Sequence, residues 1–185
     1  MFRLVLVLMF GLSHSGICAV KAHDASKMGL KNFREILASL ATVTGVDPTL
    51  PEISSFYTQI VGQLPRHGTL SEFNAQSFLA AAGLGGVFCN RVITQDAMAG
   101  IPKTGFNAGV DFSKGPSAVS TSLRAQLIVN YTTAFLQRGP TATEKDQLTS
   151  LFSAQTDATD TPAETQAAIL SVCGAVASSI EFLSN

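Results

Sequence analysis

The chain has 185 residues, and its 12 basic residues nearly balance its 13 acidic ones. This length suffices for one domain with a hydrophobic core and is too short for two. The cations are scattered singly in a weakly acidic chain, which excludes the basic footprint of a nucleic-acid-binding protein.

The N-terminus has the layout of a secretory signal peptide. Arg3 precedes nine residues that are apolar or glycine, and small residues follow near two candidate cleavage points, Ala19 and Ala22. The apolar run is well short of the ~20 residues that a spanning helix needs. We therefore predict a cleaved signal peptide over 1–22 and a periplasmic or secreted domain over 23–185, with no stable membrane span after cleavage.

Cleavage of the predicted signal peptide determines how many cysteines the mature chain retains. The chain has three cysteines, and removal of the signal peptide takes away Cys18 and leaves Cys89 and Cys173. In an exported protein an even pair is more often a disulfide than two free thiols, so we predict a Cys89–Cys173 bond. Two buried thiols that act as small apolar side chains are the alternative. A lipoprotein anchored through Cys18 is a further alternative, although Ile17 stands where lipid modification favours Gly, Ala or Ser.

The rest of the chain predicts an all-α domain, a bundle of about six helices, because no window alternates as a strand would. Gly45 is placed to cap the first helix, and Pro65 ends the second. Three Thr-x-x-Glu patterns, which begin at Thr69, Thr141 and Thr161, are typical of capping boxes at helix starts. We predict helices over about 26–44, 49–64, 75–97, 116–138, 141–152 and 162–183.

Two of these helices carry both cysteines and most of the small residues. Glycines weaken an isolated helix by roughly 1 kcal/mol each, so tertiary packing must compensate. Close crossing of the third and last helices would bring the cysteine Cα atoms within the roughly 4.4–6.8 Å that a disulfide requires. The small residues are Ala82, Gly85 and Gly86 in the third helix, and Ala167, Ser171, Gly174 and Ser178 in the last.

Residues 98–116 form a long connection, rich in Gly and Pro, that interrupts the helical pattern. A connection of this length is usually functional or disordered, and its interleaved apolar residues predict that it packs on the helices. Phe106 and Phe112 are candidate contacts for a partner, since exposed aromatic residues commonly anchor interfaces. Burial of both rings in the helical body is the alternative.

Motifs for catalysis, metals and cofactors are missing from the sequence. His67 lies in a turn, and its pairing with a carboxylate would make a hydrolase, the least favoured hypothesis. His23 and His67 cannot build a zinc site, and the haem motif Cys-x-x-Cys-His is absent. Asp157, Asp160 and Glu164 miss the spacing of a calcium-binding EF-hand loop. We predict no enzyme activity, no metal and no cofactor.

The C-terminal third resembles helical regions of bacterial envelope proteins, of the planctomycete type associated with cytochromes. The resemblance covers residues 130–185 and rests on Arg138, the helix start Pro140–Glu144, Cys173 and the segment 178–183. It implies an exported helical module of unassigned activity. Because the chain lacks the haem motif of those larger proteins, no electron-transfer role is implied.

Our leading functional hypothesis is an exported, non-enzymatic helical protein that acts through protein–protein contact in the cell envelope. The second hypothesis is a small-molecule binding protein with a pocket under the loop 98–116.

Overall fold

A computed structural model describes residues 31–63, 75–156 and 159–184. Over these residues the chain is all-helical and contains no strand, which confirms the predicted single helical domain. The predicted signal peptide over 1–22, His67 and the capping box at Thr69 lie outside the described residues. The helices are α1 (Phe33–Thr44), α2 (Pro51–Gln63), α3 (Ala75–Ala99), a 3-10 turn (Pro116–Ala118), α4 (Thr121–Leu136), α5 (Ala142–Ala154), α6 (Pro162–Ala177) and α7 (Ile180–Ser184).

Most helix ends follow the local signals in the sequence. Gly45 caps α1 with a φ of 68°, and its N–H donates to Ala41. The capping boxes that begin at Thr141 and Thr161 are both formed, and they start α5 and α6. A further capping box joins Asn32 and Glu35, so α1 begins at Phe33 within the described chain.

The prediction of one continuous last helix over 162–183 is wrong, because the backbone leaves helical geometry at Ser178 and the Ser179 hydroxyl binds an N–H in the first turn of a new helix. The Ser178 hydroxyl donates to the Gly174 carbonyl (2.8 Å), and the Ser179 hydroxyl accepts from the N–H of Phe182 (3.2 Å). Serine side chains that bind nearby backbone groups compete with continued helix. The chain therefore ends α6 at Ala177 and begins α7 at Ile180.

The predicted start of the fourth helix at Pro116 is also corrected. Residues Pro116–Ala118 form a 3-10 turn, and Val119 is extended. The hydroxyl of Ser120 then accepts from the N–H of Leu123 (3.2 Å) and caps α4. A serine placed to satisfy an otherwise orphaned N–H sets the true start of the helix.

The core is built around the crossing of α3 and α6. The Cys89–Cys173 disulfide joins them with a Cα–Cα distance of 5.9 Å, as predicted. One turn away, a Cβ built on Gly85 would lie 3.0 Å from the Ala177 Cβ. Gly85 lies one turn before Cys89 in α3, and Ala177 lies one turn after Cys173 in α6. The two helices are therefore antiparallel.

Two predicted crossing residues do not contribute to this contact. A Cβ on Gly86 or on Gly174 would meet no atom within 4 Å. Gly83 instead makes room for α2, because a Cβ there would lie 2.8 Å from the tip of the Phe56 ring. The glycines of α3 therefore accommodate two neighbours, α6 through Gly85 and α2 through Gly83.

Helix α3 is the one helix of the described residues that is long and apolar enough to cross a membrane by length and composition. Its apolar window is 44% buried inside the domain. Leu84, Phe88 and Cys89 on its inner face are almost completely buried, which is also the pattern of a core helix.

Arg138 forms ion pairs that link the ends of three helices. Its guanidinium, just beyond α4, binds both carboxylate oxygens of Glu144 in the first turn of α5 (2.7 and 2.8 Å). It also donates to both carboxylate oxygens of Glu181 in α7. Paired charge-assisted bonds of this kind fix geometry as well as contribute energy. The hydrogen bonds from Arg138 and the N–H of Thr141 lower the pKa of Glu144 to about 2 from its ordinary 4.5.

We expect Arg138→Met to lower the urea midpoint near pH 7, and this deficit to shrink in acid. Because the pKa of Glu144 is lower in the folded state, its contribution is complete above about pH 4.5 and is lost as the pH falls toward 2. Urea titrations of wild type and variant between pH 7 and pH 3 check this. The exposed Arg34→Met is the control. A deficit that is constant with pH would contradict the ion-pair explanation.

Candidate functional site

The connection between α3 and α4, residues 100–115, is an ordered loop that folds back on itself. The N–H of Gly109 donates to the Pro102 carbonyl (2.8 Å), and the N–H of Phe112 donates to the Gly100 carbonyl (3.1 Å). Gly109 has a φ of 85°, a conformation that other residues adopt only with strain. The loop therefore has a defined shape.

A buried asparagine attaches this loop to two helices. The side chain of Asn107 is fully buried; it donates to the Asp96 carboxylate of α3 (2.8 Å) and accepts from the Tyr131 hydroxyl of α4 (2.7 Å). Burial raises the pKa of Tyr131 well above its ordinary value, so the hydroxyl stays protonated and remains a donor. Outside this chain of bonds, Asn130 donates to the Phe106 carbonyl (3.0 Å).

We expect Tyr131→Phe to lower the free energy of unfolding by about 1–2 kcal/mol, because it leaves the buried Asn107 oxygen without a donor. Equilibrium unfolding in urea measures the change. The matched control is Tyr57→Phe at the partly exposed other tyrosine, where we expect a change within about 0.5 kcal/mol. Equal effects of the two substitutions would contradict the importance of the Asn107 network.

The two aromatic residues predicted as partner contacts occupy different environments. Phe112 is only 3% exposed, so its ring faces the core and cannot anchor a partner in this conformation. Phe106 is partly buried and stacks on Tyr131, with ring centroids 5.2 Å apart and planes 7° apart. It also contacts Phe135 at 6.1 Å. Only the outer part of Phe106 is available at the surface.

An open groove of about 410 Å³ runs beside Phe106 along the outer side of α4. Its position differs from the predicted pocket under the loop, because the ring and hydroxyl of Tyr131 lie directly beneath Phe106 and Asn107. Asn130 and Thr133 give the groove polar groups among apolar neighbours. The lining residues are Gly105, Phe106, Val129, Asn130, Thr133 and Ala134.

The start of the loop exposes two large apolar side chains that sequence analysis did not single out. Met98, in the last turn of α3, is 81% exposed, and Ile101 is 55% exposed. Ile101 lies between Gly100 and Pro102 within the predicted connection, so its position gave a signal. Met98 also lies within the predicted connection, but a methionine next to a helix end is equally consistent with burial.

The far end of the loop is held by the region that precedes α6 and by α6 itself. The carboxylate of Asp160 accepts from the N–H of Ser117 (2.8 Å) and from the Ser117 hydroxyl. These hydrogen bonds lower the pKa of Asp160. The Thr165 hydroxyl donates to the Lys114 carbonyl (2.8 Å). Gly115 lies against the backbone of Asp160 with no space for a Cβ.

Acidic residues near the start of α6 have structural roles in the described chain. Asp160 binds the 3-10 turn, and Glu164 completes the capping box of α6. Within residues 31–63, 75–156 and 159–184, no three His, Cys, Asp or Glu side chains are close enough together to hold a metal ion. The hydrolase hypothesis stays untested, since His67 lies outside these ranges.

The chain matches no family model, no curated protein and no solved structure. The resemblance of residues 130–185 to bacterial envelope proteins therefore stays a prediction. Two of the residues that carry it, Arg138 and Glu144, form the ion pair that fastens α4 to α5. The resemblance therefore rests in part on residues that join two helices.

Proposed function

We propose that this chain is an exported helical protein that acts by contact with another protein in the cell envelope. We place the contact at the apolar tip, defined as Met98 and Ile101. The observation that carries the proposal is the exposure of both side chains on a segment held in a fixed conformation. Each apolar side chain gains about 1.5–3 kcal/mol when it is fully removed from water.

The fixed conformation matters because isolated exposed apolar residues are common on protein surfaces. The apolar tip is followed directly by a loop that is bonded to α3, to α4 and to the start of α6. A surface that is already ordered loses less conformational entropy when a partner binds. Binding of a partner at these two side chains therefore costs little backbone entropy, which is favourable for residues that anchor an interface.

The export part of the proposal is supported by two features of the chain. The first is the layout of residues 1–22, with Arg3 before a short apolar run. The second is the Cys89–Cys173 disulfide, because such bonds persist in oxidising compartments and are rare in the cytosol. Together they favour a periplasmic or secreted location.

Site-specific photocrosslinking in the native host tests the contact. A photoreactive amino acid is placed at Met98 or Ile101, and at Leu79 as the matched control, since Leu79 is an apolar residue of the same helix with 69% exposure. We expect one discrete adduct from the two tip positions that is absent from Leu79. We also expect Met98→Glu to abolish the adduct formed from Ile101. Identical adducts at all three positions, or none at the tip, would reject the proposal.

The second candidate function, small-molecule binding, is favoured by the groove beside Phe106. Its volume lies within the 300–1,000 Å³ range of ligand sites, although the groove is wide open. A fragment screen followed by NMR would test it, with Thr133→Phe as the variant that fills the groove. Chemical-shift changes of Asn130 that a fragment causes in the wild type and not in Thr133→Phe would support ligand binding. Shifts that persist in this variant would count against the groove.

A further inference from the structure

The disulfide lies in one of the least accessible places in the described structure. Cys89 is 0% exposed, and Cys173 is 1% exposed. The neighbouring turn of the same helix pair is also closely packed, because a Cβ built on Gly85 would lie 3.0 Å from the Ala177 Cβ. A thiol reagent therefore has no path between α3 and α6 while the two helices are packed.

Thiol–disulfide exchange requires direct access to a sulfur atom. A thiolate must attack one sulfur of the disulfide and displace the other. In the folded chain neither Cys89 nor Cys173 offers that surface. Formation of the bond by an external oxidant has the same requirement, since a cysteine must first form a mixed disulfide with the oxidant.

We infer that the Cys89–Cys173 bond is a folding lock that closes once and is not a reversible redox switch. It forms while α3 and α6 are still apart, by exchange with an oxidant that carries a disulfide. Once the helices pack, neither an oxidant nor a reductant reaches the two sulfur atoms. The inference concerns the folded domain itself and holds whether or not the apolar tip binds a partner.

The closing reaction balances as two successive exchanges. One cysteine thiolate attacks the oxidant's disulfide, forms a mixed disulfide and releases one oxidant thiolate. The second cysteine thiolate attacks the protein sulfur of that mixed disulfide, forms the Cys89–Cys173 bond and releases the second oxidant thiolate. The two cysteines lose two electrons and two protons, and the oxidant's disulfide is reduced to two thiols.

The rate of reduction at increasing urea tests this inference. The oxidised mature chain, which lacks Cys18 after the predicted cleavage, is incubated with excess dithiothreitol. Free thiols are then counted by a gel shift after reaction with a polyethylene glycol maleimide. We expect almost no free thiol under native conditions, and a reduction rate that rises with urea in proportion to the globally unfolded fraction. The urea-unfolded oxidised chain gives the rate for a fully accessible bond.

A destabilised variant distinguishes global unfolding from local opening at the sulfurs. Tyr131→Phe changes α4 and the loop, and it leaves both cysteines in place. A loss of about 1–2 kcal/mol should speed reduction roughly 5- to 30-fold, by the same factor as the measured unfolding equilibrium. Rapid reduction without urea, a shallower urea dependence than that of unfolding, or an unchanged rate in the variant would each overturn the inference.

Discussion

Replacement of both cysteines, Cys89→Ala with Cys173→Ala, is expected to lower the free energy of unfolding by about 4–5 kcal/mol. The disulfide closes a sequence separation of 84 residues, and the loop-entropy model assigns a loss of this size to its removal. The unfolded chain gains the conformations that the cross-link excluded. This is a large part of the ~5–15 kcal/mol that stabilises a typical domain.

Equilibrium unfolding in urea, monitored by circular dichroism, measures this loss. The control is the reduced wild-type chain, which lacks the cross-link but keeps both sulfur atoms. We expect the reduced chain and the double variant to be similarly destabilised, with the variant slightly less stable because it also loses buried sulfur contacts. A double variant within about 1 kcal/mol of the oxidised protein would show that the bond contributes little.

The disulfide could be predicted because its main premise is a count of cysteines. The predicted cleavage of residues 1–22 would remove Cys18 and leave Cys89 and Cys173 as the one possible pair. The rows of small residues gave weaker information. Gly85 does lie at the crossing, but Gly86 faces open space. Which small residue faces which helix depends on the rotation of α3, and composition does not determine that rotation.

Two helix starts could be predicted because a complete Thr-x-x-Glu capping box marks each of them. Thr141 and Thr161 form their capping boxes because the hydroxyl, the carboxylate and the two backbone N–H groups belong to one turn. The break at Ser178 and Ser179 was missed, because apolar residues continue with helical spacing on both sides. A serine in a helical segment either leaves the helix continuous or ends it. Here the helix ends, and Glu181 beyond the break forms an ion pair with Arg138, 43 positions away.

The conformation of the loop was beyond local reasoning. Its apolar residues correctly predicted that it packs on the helices, and Phe112 is buried. The residue that attaches it, Asn107, is polar and would ordinarily be assigned to the surface. Its burial is possible because Asp96 and Tyr131, distant in sequence, satisfy its side chain. Met98 and Ile101, which precede Asn107 in the chain, remain exposed.

Gly115→Ala is expected to lower the free energy of unfolding by about 2–3 kcal/mol through steric conflict. The φ of Gly115 is −74°, so any residue could adopt its backbone conformation. The obstacle is the Asp160 backbone, because an alanine Cβ would overlap its carbonyl group. A backbone atom cannot move as a flexible side chain does, and overpacking of this kind typically costs 1–3 kcal/mol.

Gly139→Ala is the matched control, because a Cβ at Gly139 would meet nothing within 4 Å. We expect its stability to lie within about 1 kcal/mol of wild type, since an alanine without a clash reduces the entropy of the unfolded chain. Urea unfolding of both variants gives the comparison. Equal stabilities would mean that the chain near Asp160 moves aside without cost.

Hydrogen exchange at the Ser117 amide provides a local test of the same contact. This N–H donates to the Asp160 carboxylate at 2.8 Å, across 43 positions of sequence. If Gly115→Ala pushes the two segments apart, the Ser117 amide loses its acceptor and should exchange faster, while the Leu123 amide at the start of α4 keeps its bond to Ser120. Faster exchange at both amides would instead indicate that the whole start of α4 has loosened, and that Gly115 supports more of the domain than the end of the loop.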